Sequence, residues 1–467
     1  MIERSTRRVF LKRSAAAAAA GGLVPHVFTN VAARAAAAND RIGVGGIGMG
    51  GQGGTITHGA ARLGTMVACA DVDLHRAHAF AGHYEGCEPY QDYRRLLDRD
   101  DVDVVTVGTP DHWHTRIAVD AMRAGKDLFC EKPLTLTIEE GKILCRVVRE
   151  TGAVVQVGTQ QRSDRDRFLN AVALVRSGRL GGPVTATCGI GASPAGGPFA
   201  TAEPPDHLDW DYWLGQCPAV PYTPERCHGS FRFWLEYSGG NVTDWGAHHV
   251  DIAHWALGHE DSGPVEIEGV GDFPNIPDDF DPVAFFAGRQ TIPNGFNTAT
   301  NYRAVATFAN GDRIIIQAGG DNGVLFEGSR GRVFVNRGRF TGRPVEELTE
   351  ADHAELAEAT IDLHKGVPFT VDISRIDPSS GMPGTDWWDI INHAHMTNFF
   401  ECVRRRAEPV SDAFSHHRAV STCHLANIAM LLKRKLRWDP EQEDFVGDEV
   451  ASALVARPRR APYDIEV

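Results

Sequence analysis

Arg41-Ile42-Gly43-Val44-Gly45-Gly46-Ile47-Gly48-Met49-Gly50-Gly51-Gln52-Gly53 decides the fold. Ile42, Val44 and Ile47 predict a short buried strand, and a cluster of glycines follows at once. Gly46 to Gly51 and Gly48 to Gly53 each match G-x-G-x-x-G. The later frame, Gly48, Gly50 and Gly53, is preferred because it leaves Ile47 to the strand. Glycines are needed at such a turn so that the backbone of a helix N-terminus can approach a pyrophosphate. A second strand, Met66 to Ala70, ends at Asp71, about 20 residues on, where the motif wants an acid for ribose hydroxyls. An acid there favours NAD over NADP, since it repels a 2′-phosphate. The alternative phosphate loop, G-x-x-x-x-G-K-[ST], is absent from the chain.

Strands and helices keep alternating beyond that point. Val102 to Val107 predicts a buried strand, followed by the turn Gly108-Thr109-Pro110-Asp111 and then His112-Trp113-His114 entering a helix. Leu128-Phe129-Cys130 is the next strand and delivers Glu131-Lys132-Pro133. Thr137 and Glu140 predict a capping box opening another helix. Val154 to Val157 leads to Gln160-Gln161-Arg162. This order predicts a doubly wound parallel sheet with ligands at the carboxyl ends of its strands. The glycine loop, Asp71, Thr109 to His114, Glu131 to Pro133 and Gln160 to Arg162 all fall at such ends.

Upstream of the fold, Thr6-Arg7-Arg8-Val9-Phe10-Leu11-Lys12 precedes an alanine run. Paired arginines, a short weakly apolar stretch and small-residue sites such as Ala33-Arg34-Ala35 predict a twin-arginine signal peptide over residues 1–38. The expected location is therefore outside the cytoplasm, the expected partner is the twin-arginine export machinery, and no membrane span is expected. The chain of 467 residues carries a net charge of −14, and its leader is basic, so the remainder is more acidic still. An acidic body without a Lys/Arg block argues against a nucleic-acid partner. Nine cysteines without zinc-finger spacing read as buried thiols, the pairing of Cys217 with Cys227 being left open.

Cys130-Glu131-Lys132-Pro133, preceded by Thr109-Pro110-Asp111-His112-Trp113-His114, resembles the Gfo/Idh/MocA oxidoreductases. The resemblance continues through Gly239-Gly240-Asn241-Val242-Thr243-Asp244-Trp245-Gly246-Ala247-His248-His249-Val250-Asp251 and the C-terminal segment from His395. It implies an α/β fold: a Rossmann domain over 39–160, then a substrate and oligomerisation domain over 161–467. The latter is an α+β domain with an open, mostly antiparallel sheet, whose C-terminal helices pack back on the body. Val184 to Cys188, Val265 to Val270, Tyr302 to Phe308, Asp312 to Gln317 and Arg332 to Val335 read as strands of that sheet. A homo-oligomer through the sheet is expected.

The resemblance also implies chemistry. His248 is the expected general base, Asp244 shares the substrate contacts, and Lys132 holds the reacting hydroxyl. Gly48, Gly50, Gly53, Asp71, Thr109, Pro110, His114, Glu131 and Gln160 are the expected cofactor contacts. Arg162 and Asp251 are candidate substrate contacts, with a salt bridge as the alternative for each; Arg232 stands beside Arg162 in that role. Trp210, Trp213, Trp234 and Trp245 are either sugar-stacking faces or core. Two crowded groups, His248, His249, Asp251 and His254, and His112 with His114, lack metal-site spacing, and no metal is expected. The expected activity is hydride transfer between a sugar-like secondary alcohol and a tightly bound nicotinamide. Redox-neutral glycoside cleavage through a transient keto-sugar is the alternative, and a non-catalytic carbohydrate-binding protein is the outside one.

Overall fold

The computed structural model describes residues 41–367 and 387–465. The expected signal peptide lies outside the described residues. Six strands make the first sheet: β1 (Gly43–Ile47), β2 (Thr65–Ala70), β3 (Glu88–Tyr90), β4 (Val104–Val107), β5 (Asp127–Cys130) and β6 (Val155–Val157). Their order is β3-β2-β1-β4-β5-β6, and every pairing is parallel. β4 and β5 are wholly buried because the connecting helices cover the sheet. Those helices are α1 (Gly51–Ala61), α2 (Leu74–Ala81), α3 (Asp111–Arg123) and α4 (Ile138–Thr151). Strand order reverses between β1 and β4, which opens a crevice at their carboxyl ends.

A nine-stranded sheet forms the second layer system. Its strands are β7 (Thr185–Ile190), β8 (Glu266–Asp272), β9 (Asn301–Thr307), β10 (Arg313–Ala318), β11 (Gly323–Gly328), β12 (Gly331–Val335), β13 (Phe340–Thr341), β14 (Leu436–Asp439) and β15 (Asp444–Phe445). The order is β13-β12-β11-β7-β10-β9-β8-β14-β15, antiparallel except for the β7–β10 pair. Alternation decides its two faces. Tyr302, Ala304 and Ala306 of β9 are buried, while Asn301 and Arg303 face outward. The buried face packs on α5 (Gly246–Leu257) and on a long helix, Ala413–Leu432. Among the described residues the opposite face is exposed at Glu268, Arg303 and Val270, the last 73% exposed.

Two C-terminal helices return to the first sheet. In α6 (Trp387–Arg405), the His395 carbonyl accepts from Gln156 Nε2 at 2.7 Å and its ring Nε2 lies 2.8 Å from the Val157 carbonyl. The helix Ala413–Leu432, α7, packs along α4. All nine cysteines are free thiols, so Cys217 and Cys227 are not bonded; Cys217 Sγ donates to the Glu236 carbonyl instead. No helix among the described residues is long and apolar enough to cross a membrane.

Two expectations are corrected. Thr137 Oγ1 accepts from Glu140 N at 3.3 Å, as a cap should, but the reciprocal half of the capping box is not made. The Glu140 carboxylate instead accepts from Leu136 N and from Gln216 Nε2, each at 2.8 Å, so it ties α4 to the second domain. The second correction concerns Arg162 and Asp251, expected as substrate contacts. Both are buried away from the crevice, Arg162 at 1% exposure and Asp251 at 0%. Arg162 grips Asp251 with two parallel bonds of 2.6 and 2.7 Å and also donates to the Val410 carbonyl and Ser415 Oγ. Burial would raise the Asp251 carboxyl; the Arg162 charge together with the hydrogen bonds of His416 and Arg162 outweighs it and holds the group below its ordinary range.

Removing one partner of such a pair strands the other charge. Asp251→Ala is therefore expected to cost about 3–5 kcal/mol of unfolding free energy, measured by the denaturant midpoint. The double substitution Arg162→Met with Asp251→Leu recovers part of that loss; a double variant as unstable as the single one refutes the pair as the source.

Candidate active site

The crevice at the switch point continues into a cavity of about 380 Å³ between the two domains. Its floor is the glycine loop between β1 and α1. Gly48 has φ +83, a conformation that disfavours any side chain. A Cβ at Gly53 would lie 1.8 Å from the Gly48 carbonyl oxygen, so only glycine lets α1 close on the strand. Gly51 meets nothing within 4 Å, which assigns the packing glycine to the Gly48–Gly53 frame. Gly50 is the N-cap of α1, where backbone amides of the first turn lack helical acceptors.

Asp71, at the end of β2, lines the same cavity. Its carboxylate accepts from Met49 N at 2.7 Å and from Asp73 N at 2.9 Å, which fixes it beside the glycine loop. Burial pushes its pKa up to about 6. Thr109, Pro110, Glu131 and Gln160 line the cavity too. The Glu131 carboxylate accepts from Gln52 Nε2 at 2.9 Å and from Lys132 N at 3.2 Å. Gln160 Oε1 and Thr109 Oγ1 are buried without a hydrogen-bond partner among the described residues.

The second domain contributes the opposite wall. Asn241–Asp244 is a single helical turn that runs through Trp245 into α5. Asp244 and His248 therefore stand one turn apart on one face and both reach the cavity. Lys132 crosses from the first domain: its Nζ lies 2.5 Å from Asp244 Oδ1 and 3.1 Å from the Asp244 carbonyl. Arg232 Nε approaches the same carboxylate at 3.3 Å. Burial alone would raise Asp244, but Lys132 and Arg232 outweigh it and hold the carboxyl below its ordinary range. Burial, reinforced by the charges of Lys132 and Arg337, holds His248 well below the usual 6.5. Its imidazole is thus neutral, and its Nδ1 has no partner among the described residues. The Lys132–Pro133 peptide is cis.

His114 corrects another expectation. It does not line the cavity. Its ring is wedged between the Thr109 and Pro133 carbonyls, each 2.8 Å from a ring nitrogen, so it braces two loops that do line the cavity. Asp111 was missed as a site residue despite its place in the Thr109–His114 motif. It lines the cavity, accepts from Ser238 Oγ at 2.5 Å, and is pushed by burial up to about 7. Arg337 was missed because it sits between β12 and β13 without a motif; its guanidinium lies over the rings of Trp245 and Trp388. Of the four tryptophans weighed, Trp213 and Trp245 reach the cavity, whereas Trp234 is fully buried and Trp210 stacks on Trp213.

These residues fit a dinucleotide. The floor admits close backbone approach, an acid stands at the end of β2, and buried acceptors at Thr109 and Gln160 point to a polar occupant. The cavity then runs on to Lys132, Asp244 and His248, so a second ligand can lie against the first.

Comparison with known proteins agrees. The model for the oxidoreductase family NAD-binding Rossmann fold matches residues 41–159, and the model for that family's C-terminal α/β domain matches residues 173–339 and 390–465. The scyllo-inositol 2-dehydrogenase (NAD(+)) of Bacillus subtilis is 28% identical over 190 residues, 41% of this chain and 43% of that protein. The alpha-N-acetylgalactosaminidase of Shewanella oneidensis is 54% identical over 48 residues, 10% of each chain. The chain thus spans less than half the length of these curated relatives. A levoglucosan dehydrogenase structure, in complex with NADH and levoglucosan, superposes with a TM-score of 0.57 at 18% identity, covering 85% of this chain and 99% of that one. The chain belongs to the Gfo/Idh/MocA oxidoreductase family, and its first domain is an NAD-binding Rossmann domain.

The glycines give a paired test. Gly53→Ala forces apart backbone that has no room, at roughly 1–3 kcal/mol, and is expected to weaken NAD binding by about 5- to 150-fold in calorimetry. Gly59→Ala, in α1 with nothing within 4 Å of the added carbon, should bind NAD as before. It should also raise stability by about 0.5–1 kcal/mol. Equal binding by both variants would refute the packing role of Gly53.

Proposed function

We propose that this protein is an exported oxidoreductase that moves a hydride between a secondary alcohol of a sugar or related polyol and a tightly held NAD. The observation that carries the reading is the joining of Lys132, Asp244 and His248 from two domains in one cavity with the glycine loop. Bound nicotinamide supplies the hydride acceptor. The chain supplies the proton chemistry. Lys132 donates a hydrogen bond to the substrate hydroxyl and places positive charge where an alkoxide develops. The neutral imidazole of His248 accepts the hydroxyl proton. Asp244, held ionised, orients Lys132 and balances its charge. The flanking indoles of Trp245 and Trp213 suit the apolar C–H face of a sugar ring.

The leader supports export by the twin-arginine route, in which a protein crosses already folded. Free NAD is not dependably present outside the cytoplasm, so a cofactor loaded before export must be restored in every cycle. That requirement favours tight NAD, with NADP disfavoured by Asp71. It also gives weight to a second reading: redox-neutral glycoside cleavage, with a sugar carbon oxidised transiently and the hydride returned. The 48-residue match to an alpha-N-acetylgalactosaminidase favours this reading specifically. We further propose that a second copy covers the open face of the nine-stranded sheet.

The deciding experiment purifies the chain without added cofactor, records its nicotinamide absorbance, and offers sugars and aryl glycosides. Net reduction of added NAD by a sugar supports the first reading; glycoside cleavage without net NADH supports the second. A protein that neither retains nor binds NAD refutes both. Lys132→Met and His248→Asn are each expected to lower turnover by about 10²- to 10⁴-fold while NAD stays bound.

A pH profile tests the base. Because the folded pKa of His248 is depressed, its proton-accepting form persists as pH falls through 6.5, and the acid limb of kcat/KM lies below that value. Arg337→Gln removes a positive neighbour, which raises the His248 pKa and moves the limb to higher pH. A limb that stays fixed or moves downward in the variant sinks His248 as the base.

A further inference from the structure

At the outer rim of the cavity, beyond Asp71, the two domains meet along a short strip of backbone. Asp73 and Leu208 form an antiparallel bridge, Leu74 N donates to the His207 carbonyl at 3.0 Å, and Asp209 N donates to the Val72 carbonyl at 3.2 Å. This strip brings together side chains that are far apart in the chain. Asp73 is the N-cap of α2, His75 lies in its first turn, and His207 comes from the second domain. A donor atom from each of Asp73, His75 and His207 lies within 4.8 Å of the other two.

We propose that Asp73, His75 and His207 bind one divalent transition-metal ion of the zinc class. The donor set is two imidazoles and a carboxylate, the chemistry that zinc and its neighbours accept. With Zn–N of about 2.0–2.1 Å, two tetrahedral donors stand roughly 3.3 Å apart. His207 Nδ1 is already 2.9 Å from Asp73 Oδ1. The His75 and His207 rings stack with centroids 3.9 Å apart, and His75 is exposed, so a turn of its side chain converges its lone pair on the other two. His228 Nε2 stands 3.8 Å from Asp73 Oδ2, within reach as a fourth ligand. Arg76 Nε, 3.5 Å from the same oxygen, is the cation the metal displaces.

The backbone strip holds Asp73 and His207 together before any ion arrives, which lowers the ordering cost of binding. The ion would pin the second domain's segment around His207 to the β2–α2 turn, next to Asp71 and the glycine loop. Histidines that the sequence expectation weighed for metal, at 248, 249 and 254, are not in this group; His254 Nε2 instead meets Thr422 Oγ1 at 2.9 Å.

The test uses the full chain, stripped with EDTA and dialysed. Titration with Zn²⁺ in a calorimeter should show one tight equivalent, and Co²⁺ should give the visible bands of a four-coordinate nitrogen/oxygen site. His75→Ala, at an exposed position, and the double variant His75→Ala with His207→Ala should each lose those bands and weaken the tight equivalent by about 10- to 100-fold or more. Melting in EDTA should match the unaltered protein for His75→Ala. Absence of tight binding in the unaltered chain overturns the site. So does undiminished Zn²⁺ affinity in the folded His75→Ala and double variants, which would place the ion on other histidines.

Discussion

The geometry of the site depends on one buried ion pair that is not in the site. Arg162 leaves the first sheet just after β6, and Asp251 lies on α5, the helix that carries His248. Their two bonds, with the further bonds of Arg162 to Val410 and Ser415, lock α5 against the end of the Rossmann domain and the start of α7. His416 Nδ1 lies 3.3 Å from the same Asp251 carboxylate. Burying two full charges is costly, and such pairs are weak evidence for stability in themselves. What the pair supplies is register. With α5 fixed in rotation, His248 and the preceding Asp244 face Lys132; a helix turned by one residue would present neither.

The second constraint is steric. Lys132 reaches Asp244 only because the strands β1, β4 and β5 end level with one another, and that depends on α1 closing over the glycine loop. The contact of Gly53 with the Gly48 carbonyl permits that closure at the cost of backbone freedom. The His114 ring fills the next position along the crevice, joining the Thr109 and Pro133 carbonyls, so the loop after β4 and the loop after β5 move as one. Pre-organisation here is carried by backbone carbonyls and glycines rather than by side chains that touch substrate.

What could be read in the sequence follows from range. The glycine frame and the strand ends are local patterns, set by the periods of strand and helix, and they point to the cavity's floor; Asp244 and His248 on the opposite wall were implied by the family resemblance, and their spacing says only that they share a helix face. Their partners are set by contacts over long sequence separations, which no local pattern encodes. Arg162 and Asp251 are polar residues at plausible site positions; only the fold shows that each buries the other. Glu140 has capping-box spacing, yet Leu136 N and Gln216 compete successfully for its carboxylate. Arg337 lies in a hairpin with no motif, and its place over Trp245 depends on how the second sheet packs. β3, β11, β13, β14 and β15 were also missed: β3, β13 and β15 are only two or three residues long, β14 only four, and β11 begins and ends on glycine, so none presents a run long enough to stand out.

The electrostatics of the site follow from burial more than from composition. The chain is acidic overall, yet Lys132, Arg232 and Arg337 all line the cavity. Lys132 and Arg232 flank the Asp244 carboxylate, and on the proposed reading this positive charge would ease proton release from a bound alcohol. Burial, with the charges of Lys132 and Arg337, keeps His248 neutral, so the residue proposed as the base is not already carrying a proton. Asp244 stays ionised because Lys132 and Arg232 outweigh its burial, and Lys132 is the charge it shares with His248. A pair of titratable groups pushed into opposite roles by a shared environment is the arrangement that acid–base chemistry on an alcohol requires. In this fold that arrangement exists only when both domains are present, since Lys132 belongs to one and Asp244 and His248 to the other.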